Sequence, residues 1–245
     1  MLEGLNSAAA GMAAQQQRID AVANDLANAN TTGYKHVRVG FRDLVYTQAG
    51  RSSAQGPRTG AGAAAVDAGR GFAQGTLQRT DQPLDVALQG DGFLRVRLPD
   101  GRQALTRDGS LRLDGAGKLT TSSGGLVQPA ITVPKGTDPT RVAIGPDGTV
   151  RAAGRTVGRL EMVTVRSNQG LQPVGDNAFL VTPESGPAGR APASTTLTQG
   201  ALEMSNTDVA DAMVAMIESQ RAFQLTSKAI QTQDQMWEIA NGVKR

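Results

Sequence analysis

The spacing of hydrophobic positions changes character along this chain. From Leu2 to about Asn30, apolar or small residues fall at Leu2, Leu5, Ala9, Met12, Ile19, Ala23 and Leu26, with Gln16 as a polar member of the row. Steps of three and four make a heptad stripe, and Glu3, Gln15, Arg18, Asp20 and Asp25 lie off it, so the pattern predicts an amphipathic helix. Asn28-Ala29-Asn30-Thr31-Thr32-Gly33 should end that helix. Asparagine competes for backbone hydrogen bonds, and Gly33 can take a positive φ. From Thr76 to about Leu202 the period shortens to that of a strand. Alternating runs at 85–88, 93–98 and 160–165 are punctuated by Asp-Gly pairs beginning at Asp91, Asp100, Asp108, Asp114 and Asp147. Asp-Gly suits the positive φ of tight hairpin turns, which predicts a meander of short antiparallel strands in a small barrel or sandwich.

Helical spacing returns from about Asp208 to Asn241. Val209, Met216, Phe223, Ile230 and Trp237 recur at a strict interval of seven, and Ala212, Ser219 and Thr226 lie three further on. Ser205, Asn206 and Thr207 are N-cap candidates, and Ser205 with Asp208 has capping-box spacing. Between the first helix and the strands, the stretch from about Ala49 to Gln74 carries Gly50, Gly56, Gly60, Gly62, Gly69 and Gly71 and keeps neither period, which reads as a flexible linker. The two terminal heptad stripes are the long ones in the chain and should pair with each other. The expected fold is therefore α+β: a discontinuous helical coiled-coil domain from both termini (1–48 plus 203–245), a Gly-rich connecting segment (49–75) and an inserted antiparallel β domain (76–202).

Composition narrows the function. Hydrophobic residues make up 39% of the 245 positions but aromatic residues only 3%, so the core must rest on Leu, Val, Ile, Ala and Met. Cysteine is absent, which removes disulfides, thiolate nucleophiles and Cys-based metal sites. The net charge of +3 comes from scattered arginines without a clustered basic face, so no nucleic-acid partner is expected. No apolar run approaches the roughly 18–20 residues of a membrane span. Met1-Leu2-Glu3-Gly4-Leu5 lacks the basic start of a cleaved signal peptide, so neither membrane insertion nor a removed leader is expected.

Candidate chemistry is sparse. His36, the single histidine, sits beside Lys35 and Arg38 with no nucleophile or orienting carboxylate implied by position, and reads as structural or solvated. The glycines at 60–62, 69–75 and 117 have the wrong spacing for dinucleotide or phosphate loops, and the Asp-Gly pairs lack the ligand pattern of a calcium loop. No catalytic residue, metal ligand or cofactor is expected, and the chain does not read as an enzyme. What remains is helix surface. Met213, Leu225, Met236 and Ile239 lie off the main C-terminal row, and Ala8, Ala9, Ala10, Ala13 and Ala14 allow close approach along the first helix. An intramolecular helix hairpin accounts for one stripe on each helix, whereas the wider apolar girth calls for further neighbours from other subunits.

Against that background, 23–35 (Ala-Asn-Asp-Leu-Ala-Asn-Ala-Asn-Thr-Thr-Gly-Tyr-Lys) closely resembles the N-terminal signature of the bacterial flagellar rod and hook proteins. Ser205-Asn206-Thr207-Asp208-Val209 with 216–223 resembles their C-terminal signature, extended by 227–230 and 234–236, and 84–93 and Thr106-Arg107-Asp108-Gly109 resemble their middle. Within the family, 41–46, 127–132 and 219–223 look most like the distal rod branch. The proximal rod branch is the alternative, suited by 82–89 and 157–160. The resemblance implies a structural subunit that self-assembles into a helical tube carrying torque from motor to hook, exported through the flagellar type III apparatus. Implied partners are copies of itself, other rod subunits, the hook protein, ring proteins and the export apparatus. A β-domain module binding cell-wall glycan is the competing reading. The family motif maps to Asn24, Leu26, Asn28, Thr31, Gly33 and Tyr34, and the expected assembly interface to Leu5, Met12, Ile19, Leu26, Val209, Met216, Phe223, Ile230 and Trp237.

Overall fold

The computed structural model describes residues 2–44, 47–48, 58–134 and 136–242. Two long helices and many short antiparallel strands make an α+β chain. The elements group into two compact units. A helical unit comprises Met1–Ala27, Val37–Gly69 and Asp208–Arg245, and a β unit comprises Asn28–His36 and Arg70–Thr207. The sequence places its divisions at 48, 75 and 202.

The helical unit holds α1 (Leu2–Ala27), β1 (Val37–Asp43), β2 (Thr47–Gln48), β3 (Arg58–Thr59), β4 (Ala63–Arg70) and α2 (Val209–Gly242). The helices pack against each other and share an ion pair, Arg18 Nη2 to Glu218 Oε2 at 3.7 Å. β1 pairs with β4, and β2 with β3. The strand at 63–70 stands where glycine content alone reads as linker. Two glycines explain how it forms. A Cβ on Gly62 (φ +96°) would lie 2.9 Å from the Ser7 carbonyl oxygen of α1, and one on Gly40 would lie 3.4 Å from Val66, so bare backbone permits both approaches. Val45, Tyr46 and the glycine-rich residues 49–57 lie outside the described residues. The start of α2 is capped by Asp208, whose Oδ1 accepts the Ala210 N–H at 2.8 Å and the Asp211 N–H at 3.2 Å. The candidates Ser205, Asn206 and Thr207 do not serve as the cap: Ser205 Oγ accepts the Thr207 N–H at 3.1 Å, and the Asn206 amide is engaged elsewhere.

The β unit contains β5 (Leu77–Arg79), β6 (Val86–Gln89), β7 (Phe93–Arg97), β8 (Gln103–Thr106), β9 (Leu111–Leu113), β10 (Leu119–Thr121) and β11 (Leu126–Val127). It continues with β12 (Val142–Ile144), β13 (Thr149–Ala152), β14 (Arg155–Arg159), β15 (Met162–Thr164), β16 (Gln172–Gly175), β17 (Ala178–Leu180), β18 (Gly189–Arg190), β19 (Thr196–Gln199) and β20 (Ala201–Glu203). The main sheet runs β16-β17-β8-β7-β11-β10-β9, with β15 bridging β7 to β18. A second sheet is β12-β13-β14, and β19-β6 and β20-β5 form pairs. Alternation along β7 gives it two covered sides. Leu94 and Val96 enter a core with Leu88, Leu111, Leu119, Ile131, Val150 and Leu160, while Phe93 joins Leu105, Val163 and Phe179. The scarce aromatics are concentrated there: Phe72, Phe93 and Phe179 meet edge to face with centroids 5.4–6.3 Å apart.

Three of the five Asp-Gly pairs lie in hairpins, joining β7 to β8, β9 to β10 and β12 to β13. The pairs at Asp91 and Asp108 do not, because β6 pairs with β19 and β9 pairs with β10. Gly109 is instead a point of backbone contact: its oxygen accepts the Val86 N–H at 3.0 Å, and a Cβ on it would fall 1.6 Å from the Val86 oxygen.

Candidate assembly surface and the buried signature site

On α2, Ala212, Met216, Ser219, Phe223, Thr226 and Ile230 form one covered row, buried or half-buried, and α1 is the helix packed against α2. The row works by being narrow. Ser219 and Thr226 return their hydroxyls to the Ala215 and Ala222 carbonyls at 2.7 and 2.9 Å, so both hydroxyls are satisfied within α2 and the small side chains allow close approach. Val209 and Trp237, at the ends of the seven-residue row, remain 45% and 39% exposed. Off that row, Met213, Val214, Ile217, Leu225, Met236 and Ile239 are exposed, interspersed with exposed polar residues such as Arg221 and Lys228. Val214 and Ile217 extend the off-row set that periodicity picks out.

Leu5, Met12, Ile19 and Leu26 are half-buried along α1. The most covered positions are different ones, Ala14 and Asp25, while Ala9 and Ala23 of the heptad stripe are exposed. Small size explains Ala14, and bonding explains Asp25, whose Oδ1 accepts the Val37 N–H at 3.0 Å at the head of β1. A buried aspartate was not predicted from its off-stripe position. Asn24 and Leu26 belong to the last turn of α1 in the helical unit.

The remaining motif residues sit in the β unit. Asn28 accepts both the N–H and the hydroxyl of Thr31 at 3.1 Å. Gly33 (φ +68°) donates its N–H to the Glu203 carbonyl at 2.8 Å, and a Cβ on it would come 2.7 Å from the Asp108 nitrogen. Tyr34 is buried, with the Arg70 guanidinium 5.7 Å from its ring centroid. Beside them lie groups that the sequence did not mark as a site. Lys35 and Glu203 have fully buried side chains and meet at 2.6 Å, and the equally enclosed Arg107 reaches Glu203 Oε2 at 3.1 Å. Lys35 Nζ also donates to the Ala73 carbonyl at 2.7 Å, Arg107 Nη2 to the Gly90 carbonyl at 3.0 Å, and Glu203 Oε1 accepts the Gly75 N–H at 3.0 Å. Burial pushes the Lys35 ammonium below its ordinary value of 10.5; the Glu203 carboxylate opposes this and the Arg107 charge adds to it.

Asp108, also buried, accepts hydroxyls from Thr32 (3.0 Å), Ser110 (2.7 Å) and Ser122 (3.0 Å). Asn206 accepts the His36 N–H at 2.9 Å, lies 3.2 Å from His36 Nδ1, and donates to the Gly71 and Ala73 carbonyls at 2.6 and 3.0 Å. His36 is thus half-buried in a structural amide contact. The cluster draws on 31–36, 106–110 and 203–206, and no local pattern announces it, since Lys35 and Glu203 stand 168 positions apart. Among the described residues no helix is long and apolar enough to cross a membrane.

Those three stretches are also where the chain meets known families. Residues 5–35 match the flagella basal body rod protein model, 87–152 the flagellar hook protein FlgE/F/G D1 domain, and 198–243 the flagellar basal body rod FlgEFG protein C-terminal model. The flagellar basal-body rod protein FlgG of Borreliella burgdorferi is 41% identical over the whole of both chains. FlgG of Caulobacter vibrioides is 36% identical over 99% of this chain and all of its own, and FlgG of Bacillus subtilis 36% identical over the whole of both. The likeness to these relatives runs the length of the chain, and the chain belongs to the flagellar basal-body rod protein family.

Proposed function

We propose that this protein is a structural subunit of the flagellar rod, located in the basal body, with its terminal helices acting as the polymerisation domain. The observation that carries the reading is the open apolar side of α2. Exposed Met213, Val214, Ile217, Leu225, Met236 and Ile239 follow one helix whose other side is already covered by α1. Exposed large apolar side chains along one helix fit burial against other helices. A surface that meets a different patch on the next copy, without closing a ring, generates a helical tube. Val209 and Trp237 are the exposed ends of the row whose middle residues, Met216, Phe223 and Ile230, are covered on the α1 side. Leu5, Met12, Ile19 and Leu26 are half-buried on α1.

The full-length likeness to FlgG proteins supports a place in the distal rod, carrying torque toward the hook. Other rod subunits, the hook protein and ring proteins are then its neighbours, and the type III export apparatus its route. The role is mechanical and needs neither catalysis nor a cofactor. Purified protein should pass from monomer to tubular polymer above a threshold concentration, with helicity rising on assembly. Protein that stays monomeric at every concentration, and that is missing from isolated basal bodies, refutes the reading.

A further inference from the structure

We propose that Lys35, Glu203 and Arg107 form a closure lock, which completes the β unit only when the segment after α1 and the segment before α2 are both in place. The lock lies wholly within that unit and is independent of the rod role. Segment 31–36 contributes no strand, yet it is held at every step. Thr32 Oγ1 donates to Asp108 at 3.0 Å, and Asn177 Nδ2 donates to the Thr32 carbonyl at 2.7 Å. The Gly33 N–H binds the Glu203 carbonyl at 2.8 Å, and the His36 N–H binds Asn206 Oδ1 at 2.9 Å.

At the centre, one carboxylate serves two cations contributed by distant parts of the chain. Glu203 Oε1 takes Lys35 at 2.6 Å and the Gly75 N–H at 3.0 Å, and Oε2 takes Arg107 at 3.1 Å. All three side chains are sealed from solvent, so none of these charges has water to fall back on. If either flank withdraws, a buried charge loses its partner. If Glu203 leaves, two cations stay behind without their shared carboxylate. If Lys35 leaves alone, the pocket it fills against Ala73 is left empty. The favourable arrangement is the one in which both flanks close together on the segment 106–109. The segments fixed by that event lead directly, in sequence, into α1 and α2.

The test is native-state amide exchange on the full-length chain. In the wild type, the Gly33 and Gly75 amides and those of the β6–β19 pair should exchange with one common protection, because one opening exposes them all. Glu203→Gln should speed all of them together, more than tenfold. Adding Lys35→Met to Glu203→Gln removes one of the two orphaned cations and should recover at least part of the lost protection, so the two changes are non-additive. Local acceleration at Gly75 with unchanged Gly33 and β6 amides overturns the lock. So does a double variant less protected than Glu203→Gln alone. If Glu203→Gln fails to fold, a folded double variant supports the lock and an unfolded one overturns it.

Discussion

Replacing Leu225 with glutamate is the most direct perturbation of the proposed assembly surface. Leu225 is 69% exposed in the single chain, so less than about a third of its surface is covered by the fold. Full burial of a leucine side chain is worth about 1.5–3 kcal/mol, so the covered part contributes under about 1 kcal/mol to the subunit itself. The exposed part offers about 1–2 kcal/mol if a neighbouring copy covers it. A factor of ten in affinity corresponds to about 1.4 kcal/mol, so losing that contribution alone raises the assembly threshold about tenfold. An unpaired carboxylate forced into the same apolar contact adds several kcal/mol more unless it protonates. The variant should therefore fold as a monomer with normal far-UV circular dichroism and fail to polymerise in sedimentation and basal-body yield. Phe223→Ala supplies the contrast. That ring is half-buried on the row that α1 covers, so its removal should loosen the helix pair and lower monomer helicity before any assembly is attempted. Leu225→Glu protein that polymerises at the wild-type threshold refutes the reasoning.

Lys35 makes stability pH-dependent with a definite sign. Burial holds its folded-state value below 10.5, so between that depressed value and 10.5 the unfolded chain binds the extra proton and stability rises with pH. The cost of burying the ammonium is fully present below this window. Denaturant midpoints from pH 7 upward should show that rise in the wild type and less of it in Lys35→Met. Gly109→Ala should destabilise the β unit by about 3 kcal/mol or more, since its Cβ would sit 1.6 Å from the Val86 oxygen; Gly115→Ala, with nothing within 4 Å, should stay within about 0.5 kcal/mol in the same thermal melt. Asp208→Ala should cost about 1 kcal/mol of helix stability, read as lower monomer helicity, while Ser205→Ala should leave the α2 cap intact.

Repetition at short range made α2 legible. Met216, Phe223 and Ile230 share a face because seven residues are close to two helical turns, and that face is the covered one. On α1 the deepest positions, Ala14 and Asp25, lie off the heptad stripe, whose Leu5, Met12, Ile19 and Leu26 are half-buried. Small size at Ala14 and a hydrogen bond from Asp25 to β1 account for those two positions, and periodicity carries neither. The cap of α2 was misplaced for a related reason. Ser205, Asn206, Thr207 and Asp208 all carry capping side chains; His36, Gly71 and Ala73 occupy Asn206, and Ser205 Oγ takes the Thr207 N–H. The ion cluster was invisible because it joins positions 35, 107 and 203, and only the folded chain brings them within reach. Asp108 shows the ambiguity of a short motif. The same dipeptide that makes a hairpin turn at Asp100 here supplies a buried acceptor for three hydroxyls.

The chain passes from one unit to the other at 27/28, 36/37, 69/70 and 207/208, four times where a simple insertion would need two. Each passage is a covalent tether. Severing the backbone at one of these passages leaves three still joining the two units. The short excursion at 28–36 adds two of those tethers.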